Sequence, residues 1–177
     1  KAFDKKNFNT LKFFLKKKKK YKKVILFAAT FQIPDIIIKL IKLSPKNWLW
    51  LIRPHPRHTD LQKIKLTFRD NDIFNVDFEF ASKVNLNSVL NNITHFITEV
   101  SSTFYDSLYF NVPSIVLQKD NNLFKKKIQS GNLKFSLNKD EIIRFIMKKK
   151  ITKDKNKILS KPIYALNAVK KIISKIN

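Results

Sequence analysis

The chain has 177 residues, of which 44% are hydrophobic, so it can bury the core of one domain. It contains no cysteine, which excludes disulfide bonds and thiolate metal sites. Its 37 basic and 13 acidic residues give a formal net charge of +24. That charge favours an anionic partner, either nucleic acid, an anionic membrane or an anionic substrate. An A+T-rich genome also produces such a Lys-, Asn- and Ile-rich composition, so charge alone identifies no partner.

No apolar run approaches the roughly 18 residues of a membrane-spanning helix, and no signal peptide pattern is visible. We therefore expect a cytoplasmic protein, with peripheral contact at the inner face of an anionic membrane left open. The first residue is Lys rather than Met, and we interpret the chain as a fragment that lacks an N-terminal part.

Residues 1–23 are interpreted as a basic helix or linker. Phe8, Leu11, Phe14 and Leu15 have helical spacing, and a run of five lysines follows at residues 16–20. Residues 24–177 are interpreted as one Rossmann-like nucleotide-binding domain.

In that domain, short β-rich apolar runs alternate with segments of helical period. Strands are predicted at residues 24–30, 48–52, 73–80, 94–98 and 113–118, with an edge strand at 134–137. Helices are predicted at residues 33–43, 59–68, 85–92, 101–110, 121–131, 138–149 and 161–176. The alternation predicts an α/β fold, an open Rossmann-like and mainly parallel sheet with helices on both faces. Such sheets bind ligands at the carboxyl ends of their strands.

The first candidate loop is RPHPRH, residues 53–58, directly after the second predicted strand. Pro54 and Pro56 restrict the backbone on both sides of His55. Arg53 and Arg57 can donate bidentate hydrogen bonds to phosphate. His55 can donate a hydrogen bond to a phosphate oxygen or act as an acid, which makes it the candidate catalytic residue. The alternative is an ordinary surface loop.

The second candidate loop is TEVSS, residues 98–102, where the fourth predicted strand gives way to a helix. If that helix begins near Ser101, its free N–H groups and the hydroxyls of Ser101 and Ser102 can bind an anion without any glycine. The alternative is that one serine only caps the helix. Glu99 is a poor neighbour for phosphate, so we expect it to bind a sugar or ribose hydroxyl or to orient a hydrogen-bond donor.

Weaker candidates surround this loop. Thr98 ends the strand, Asp106 lies one helical turn beyond Ser102, and Gln118 begins the loop after the fifth predicted strand, next to Lys119 and Asp120. His95 falls inside a strand pattern, and we interpret it as structural. The sequence indicates no metal site and no cofactor.

The order IRPHP followed by THFITEVSSTFYDSLYFNVPSIVL resembles the C-terminal, nucleotide-binding half of GT-B-type bacterial capsule and surface-polysaccharide transferases. Bacterial sialyltransferases and polysialyltransferases carry an HP motif and a Ser/Thr pair that contact the donor nucleotide. The resemblance implies these roles for His55-Pro56 and for Ser101-Ser102. CDP-glycerol glycerophosphotransferases carry a similar pattern with an acid after the serine pair, and Asp106 matches that acid. In this family an N-terminal domain supplies the acceptor site and usually the catalytic base.

The resemblance implies a donor-nucleotide-binding domain of a glycosyltransferase of capsule or lipooligosaccharide biosynthesis, with a CMP- or UDP-sugar as substrate. One alternative is a CDP-glycerol glycerophosphotransferase, and a second is a basic nucleic-acid-binding protein. The expected partners are the nucleotide-sugar donor, a glycan or lipid-linked acceptor and the enzyme's N-terminal domain. No specific nucleic acid is expected, because the chain carries no nucleic-acid-binding module that we recognise.

Overall fold

A computed structural model of the chain describes residues 2–30, 32–55, 60–119, 128 and 131–148. These residues contain one sheet of six strands, and every strand pair in it is parallel. The strands are β1 (Lys23–Ala28), β2 (Trp48–Arg53), β3 (Val76–Asp77), β4 (His95–Thr98), β5 (Ser114–Val116) and β6 (Leu133–Phe135). Their spatial order is β3-β2-β1-β4-β5-β6. The predicted open, parallel α/β fold is confirmed.

Seven helices lie within the described residues and cover both faces of the sheet. They are α1 (Ala2–Lys20), α2 (Asp35–Leu43), α3 (Leu61–Arg69), α4 (Glu79–Lys83), α5 (Leu86–Leu90), α6 (Thr103–Tyr109) and α7 (Lys139–Lys148). One apolar cluster joins α2, α3 and α7 to one face of the sheet. A second cluster joins α1, α4, α5 and α6 to the other face. Such two-sided cover explains why β1 and β2 are almost uninterrupted apolar runs.

Helix α1 begins inside the segment predicted to be a basic helix or linker. Phe14 is fully buried in the second cluster, and the ring of Phe13 stacks on that of Phe80 in α4 with centroids 3.5 Å apart. The predicted domain boundary at residue 23 stays a prediction. The helices predicted at residues 121–131 and 161–176 lie outside the described residues, except for Ile128 and Gly131.

The third predicted strand is wrong in extent. We expected a strand over residues 73–80, but only Val76–Asp77 pairs with β2, and α4 begins at Glu79. The Asp77 carboxylate accepts a hydrogen bond from the Phe80 N–H at 3.0 Å, so the chain turns into a helix where an alternating pattern suggested a strand. Phe74 consequently projects from the loop before β3, and 83% of its surface is exposed.

The strand order creates a crevice at the carboxyl ends of β1 and β4. The chain winds from β1 outwards through β2 to β3, and then returns to β4 on the other side of β1. The loops after β1 and β4 therefore lead to helices on opposite faces, and sheets of this kind bind ligands at such a switch point. Thr98 holds the two strands together at this edge, because its buried hydroxyl donates to the Ala28 carbonyl at 3.0 Å. No helix in the described ranges is long and apolar enough to cross a membrane.

Candidate functional site

The loops that follow β1 and β4 contact each other at the crevice. The Thr30 hydroxyl donates a long hydrogen bond of 3.4 Å to the Val100 carbonyl, which links the loop before α2 to the loop before α6. We did not predict Thr30 as a site residue, because its position beside the second candidate loop depends on strand order. Periodicity reveals strands but not their order. A polar residue directly after the first strand was the one available signal.

The serine pair lies at the start of α6, as predicted, but the two serines differ. The Ser101 hydroxyl accepts a hydrogen bond from the Thr103 N–H at 3.3 Å and lies 2.9 Å from the Thr103 hydroxyl. Ser101, one residue before the N-cap Ser102, therefore satisfies the first N–H group of α6. Ser102 is exposed, and its side chain makes no capping hydrogen bond. Its hydroxyl can contact a ligand without leaving the helix end unsatisfied.

A buried pair of hydroxyls fixes the orientation of α6. Ser107 on α6 and Ser114 on β5 are fully buried, and their hydroxyl oxygens lie 2.7 Å apart. Each oxygen also lies 2.7 Å from a backbone carbonyl oxygen, that of Phe104 or Val112. The start of α6 is thereby held against the sheet by polar contacts as well as by packing.

His55 is exposed and follows β2, whereas the preceding Pro54 is buried. β2 does not end beside the loop after β4, because β1 lies between these two strands. Two strand spacings separate them, which is about 10 Å. His55 and Ser102 thus lie at the same sheet edge on either side of the loop after β1. Pro56 and Arg57 lie outside the described residues.

Arg53 makes contacts within the fold. Its Nη1 donates to the carbonyls of Ala81 and Val84, both at 2.7 Å, and so fixes the C-terminal end of α4. Burial lowers the pKa of the Arg53 guanidinium. The contacts give Arg53 a structural role that the sequence did not reveal, and its role as a phosphate ligand stays a prediction.

The remaining candidates occupy different positions around the crevice. Glu99 is half-buried between Thr98, which is buried, and Val100, which is 71% exposed. Asp106 is exposed on α6, and Gln118 is half-buried directly after β5. Their proposed ligand contacts stay predictions. Within the described ranges, no group of three or more His, Asp or Glu side chains could hold a metal ion.

A hollow of about 510 Å³ lies beside the crevice, between the loop after β1 and helix α3. Its lining includes Gln32, Asp35, Lys63 and Asp60. The Asp60 carboxylate already caps α3 by accepting from the N–H groups of Gln62 and Lys63 at 3.0 and 3.1 Å. The hollow is lined by two acids and one lysine, so we do not assign a phosphate-binding site to it.

His95 is a core residue, in agreement with its interpretation as structural. It is fully buried in β4, and its Nδ1 lies 3.1 Å from the Thr94 hydroxyl. Its Nε2 is buried without a hydrogen-bond partner in the part of the chain that the structure describes. Burial, with a smaller contribution from the charge of Lys23, lowers the pKa of His95 to about 3. The imidazole is therefore neutral at physiological pH.

Neither the family models nor the curated proteins give a match to this chain. Solved structures do resemble it in fold. An S. aureus MnaA–UDP structure has a TM-score of 0.55 and 13% identity, over 84% of this chain and 43% of that one. A UDP-GlcNAc 2-epimerase from Neisseria meningitidis, bound to UDP-GlcNAc, has a TM-score of 0.52 and 17% identity, over 72% and 35%.

The wall teichoic acid polymerase TagF has a TM-score of 0.43 and 21% identity, over 60% of this chain and 26% of that one. The two structures with TM-scores above 0.5 show that the chain shares their Rossmann-like fold. The chain spans less than half of each of these proteins. The resemblance to sialyltransferases stays a prediction.

Proposed function

We propose that this chain is the donor-nucleotide-binding domain of a surface-polysaccharide glycosyltransferase that uses a CMP- or UDP-sugar. One observation carries the proposal. The all-parallel strand order puts the topological switch point of the sheet at β1 and β4, and His55 and the serine pair follow β2 and β4 at that same edge. The occurrence of UDP and UDP-GlcNAc in structures of the same fold supports a uridine nucleotide as the first ligand to test.

The proposed donor lies across the loop after β1, with its phosphates between His55 and Ser102. A nucleoside diphosphate sugar is longer than the roughly 10 Å between β2 and β4, so it can contact both sides. Ser102 is available to the phosphate because its side chain is not used to cap α6. Glu99 then binds a ribose or sugar hydroxyl, since a carboxylate repels phosphate.

The proposed chemistry is electrostatic. As the sugar–phosphate bond breaks, negative charge accumulates on the leaving nucleotide. Hydrogen bonds from His55 and Ser102 strengthen as this charge develops and thereby lower the barrier. The acceptor hydroxyl is activated by a base in the enzyme's N-terminal domain. With this division of roles, we expect the isolated domain to bind nucleotide without catalysing transfer.

Calorimetric titration with UDP, CMP, UDP-GlcNAc and CDP-glycerol tests the binding step. We expect weak binding of at least one nucleotide, and CDP-glycerol distinguishes the glycerophosphate alternative. A hydrogen bond to a charged group contributes about 1.5–3 kcal/mol, so Ser101→Ala/Ser102→Ala should weaken binding at least about tenfold. Ser102→Ala alone should weaken binding without changing stability, because its side chain does not cap α6.

Ser88→Ala on α5 is the matched control, since it removes a hydroxyl far from this edge. Unchanged nucleotide affinity in both Ser102 variants would mean that the serines only terminate a strand and begin a helix. Failure of every nucleotide to bind would reject the proposed function for this domain.

Steady-state transfer kinetics in the full-length enzyme test the role of His55. His55→Ala should lower kcat more than it raises KM, because the contact strengthens as charge develops on the leaving phosphate. His55→Asn keeps activity if hydrogen bonding suffices and loses it if proton transfer is required. An alanine variant with the kcat and KM of the wild type would make His55 a structural loop residue.

A further inference from the structure

The amino-terminal edge of the sheet, opposite the crevice, carries a group of exposed lysines. Lys22 and Lys46 precede β1 and β2, and the Lys22 N–H donates to the Asn47 carbonyl at 2.8 Å, which holds these two segments side by side. Lys20 and Lys42 lie in the last turns of α1 and α2, which return the chain to the same edge. All four side chains are exposed.

Two apolar side chains project from the same edge. Phe74 precedes β3 and is 83% exposed, and Leu43 ends α2 and is 55% exposed. The loop that carries Phe74 is held on both sides. The Asn75 side chain donates to the Trp48 carbonyl at 2.9 Å, and the Ile73 N–H donates to the Phe68 carbonyl at 3.0 Å. Phe74 is thus presented to the exterior by an anchored loop, and folding gains nothing from its exposure.

Acidic groups on this edge do not neutralise the lysines. Asp72 lines the same small hollow as Lys42 and Lys46. Asp70, next to it, is already 3.6 Å from the guanidinium of Arg69. The four exposed lysines of this edge therefore outnumber its two acids, and the edge is a positive surface with two projecting apolar groups.

We propose that this amino-edge surface, formed by Lys20, Lys22, Lys42, Leu43, Lys46 and Phe74, binds an anionic lipid bilayer. Lysines attract anionic headgroups, while Phe and Leu enter the boundary between headgroups and acyl chains. Nucleic acid is a less suitable partner, because none of the six residues that form the surface is an arginine that could bind phosphate bidentately. The opposite edge, with the crevice, then faces away from the bilayer and stays accessible. This inference does not depend on the proposed nucleotide site.

Co-sedimentation of the full chain with vesicles tests the proposal at about 0.1 M salt. We expect binding to vesicles that contain phosphatidylglycerol and little binding to pure phosphatidylcholine. Each lysine near an anionic surface contributes about fivefold in affinity. Neutralising three lysines of the surface should therefore weaken binding about a hundredfold, with Lys20→Gln, Lys22→Gln and Lys46→Gln combined in one variant.

The matched control removes the same charge from exposed lysines at or near the other edge. It combines Lys63→Gln, Lys119→Gln and Lys139→Gln. Equal loss of vesicle binding in both triple variants would overturn the proposal, because binding would then follow net charge rather than this surface. Absence of binding to phosphatidylglycerol vesicles by the wild type would also overturn it.

Phe74→Ser separates a bilayer from nucleic acid as the partner. We expect Phe74→Ser to bind vesicles several-fold more weakly than the wild type. This difference should persist at high salt, because salt does not screen the lost apolar contact. The folded state should be unaffected, since Phe74 is exposed. The wild type could instead bind single-stranded RNA tightly and fail to bind vesicles. If the triple variant of the surface then abolished RNA binding, the partner of this surface would be nucleic acid and not a bilayer.

Discussion

Mild acid should destabilise the folded chain through His95, and the size of the effect follows from its burial. The pKa of His95 is about 3 in the folded state and about 6.5 when the chain unfolds. Between these pH values His95 is protonated in the unfolded chain and neutral in the folded chain. Stability due to neutral His95 is therefore fully present above pH 6.5 and is lost as the pH falls towards 3.

The expected loss can be worked out for a convenient range. At about 1.36 kcal/mol per pKa unit, lowering the pH from 7 to 5 should reduce the free energy of unfolding by about 2 kcal/mol. With a urea dependence of about 2 kcal/mol per molar, the unfolding midpoint should fall by about 1 M. Trp48 and Trp50 are buried neighbours in β2, so their fluorescence reports the transition.

His95→Leu removes the titrating ring but leaves its hydrogen-bonding neighbour Thr94 with other partners. The Thr94 hydroxyl keeps its hydrogen bonds to the backbone of Val24, with distances of 2.9 and 3.0 Å. Carboxylates also titrate in acid, so the informative quantity is the difference in pH dependence between wild type and variant. His55→Gln, which removes an exposed histidine from the loop after β2, is the matched control. An identical fall in stability for wild type and His95→Leu between pH 7 and 5 would refute the reasoning.

Two further substitutions test contacts that position the site, both measured by urea unfolding at neutral pH. Arg53→Met should destabilise the fold by about 2–3 kcal/mol, because two charge-assisted hydrogen bonds to α4 are lost. The exposed Arg69→Met should cost less than about 0.5 kcal/mol, and equal effects would contradict the structural role of Arg53. Ser107→Ala should lower the free energy of unfolding by about 1–2 kcal/mol. The double variant Ser107→Ala/Ser114→Ala should lose much less than the sum of the two single variants, because the two hydroxyls form one network. Fully additive losses would exclude that coupling.

The fold could be predicted because its central strands are buried on both faces. Such strands are short apolar runs, and their alternation with helical periods is visible without knowledge of any contact. The extent of the third strand could not be predicted, because it depends on whether Asp77 accepts a hydrogen bond at the start of a helix or continues the strand pairing. Both continuations are compatible with the alternating pattern of residues 73–80.

The candidate site was predictable where its residues follow strands and only there. His55 and the serine pair stand at strand ends, which the apolar pattern defines. Thr30 escaped prediction because strand order decides its neighbours. The structural contacts of Arg53 also escaped prediction, because its carbonyl partners are 28 and 31 residues later in the chain and cannot be identified locally. Local patterns thus identify ends of elements, and long-range pairing decides what those ends contact.

The central position of β1 also determines the order in which the sheet can assemble. β1 pairs with β2 through residues about 25 apart, but the contacts that join it to β4 span 70 residues. Closing the longer loop costs about 0.9 kcal/mol more in chain entropy. We therefore expect β1 and β2 to associate early and β4 to dock late in the folding reaction. The crevice between β1 and β4 then forms in the last step, so nucleotide should slow unfolding without accelerating folding.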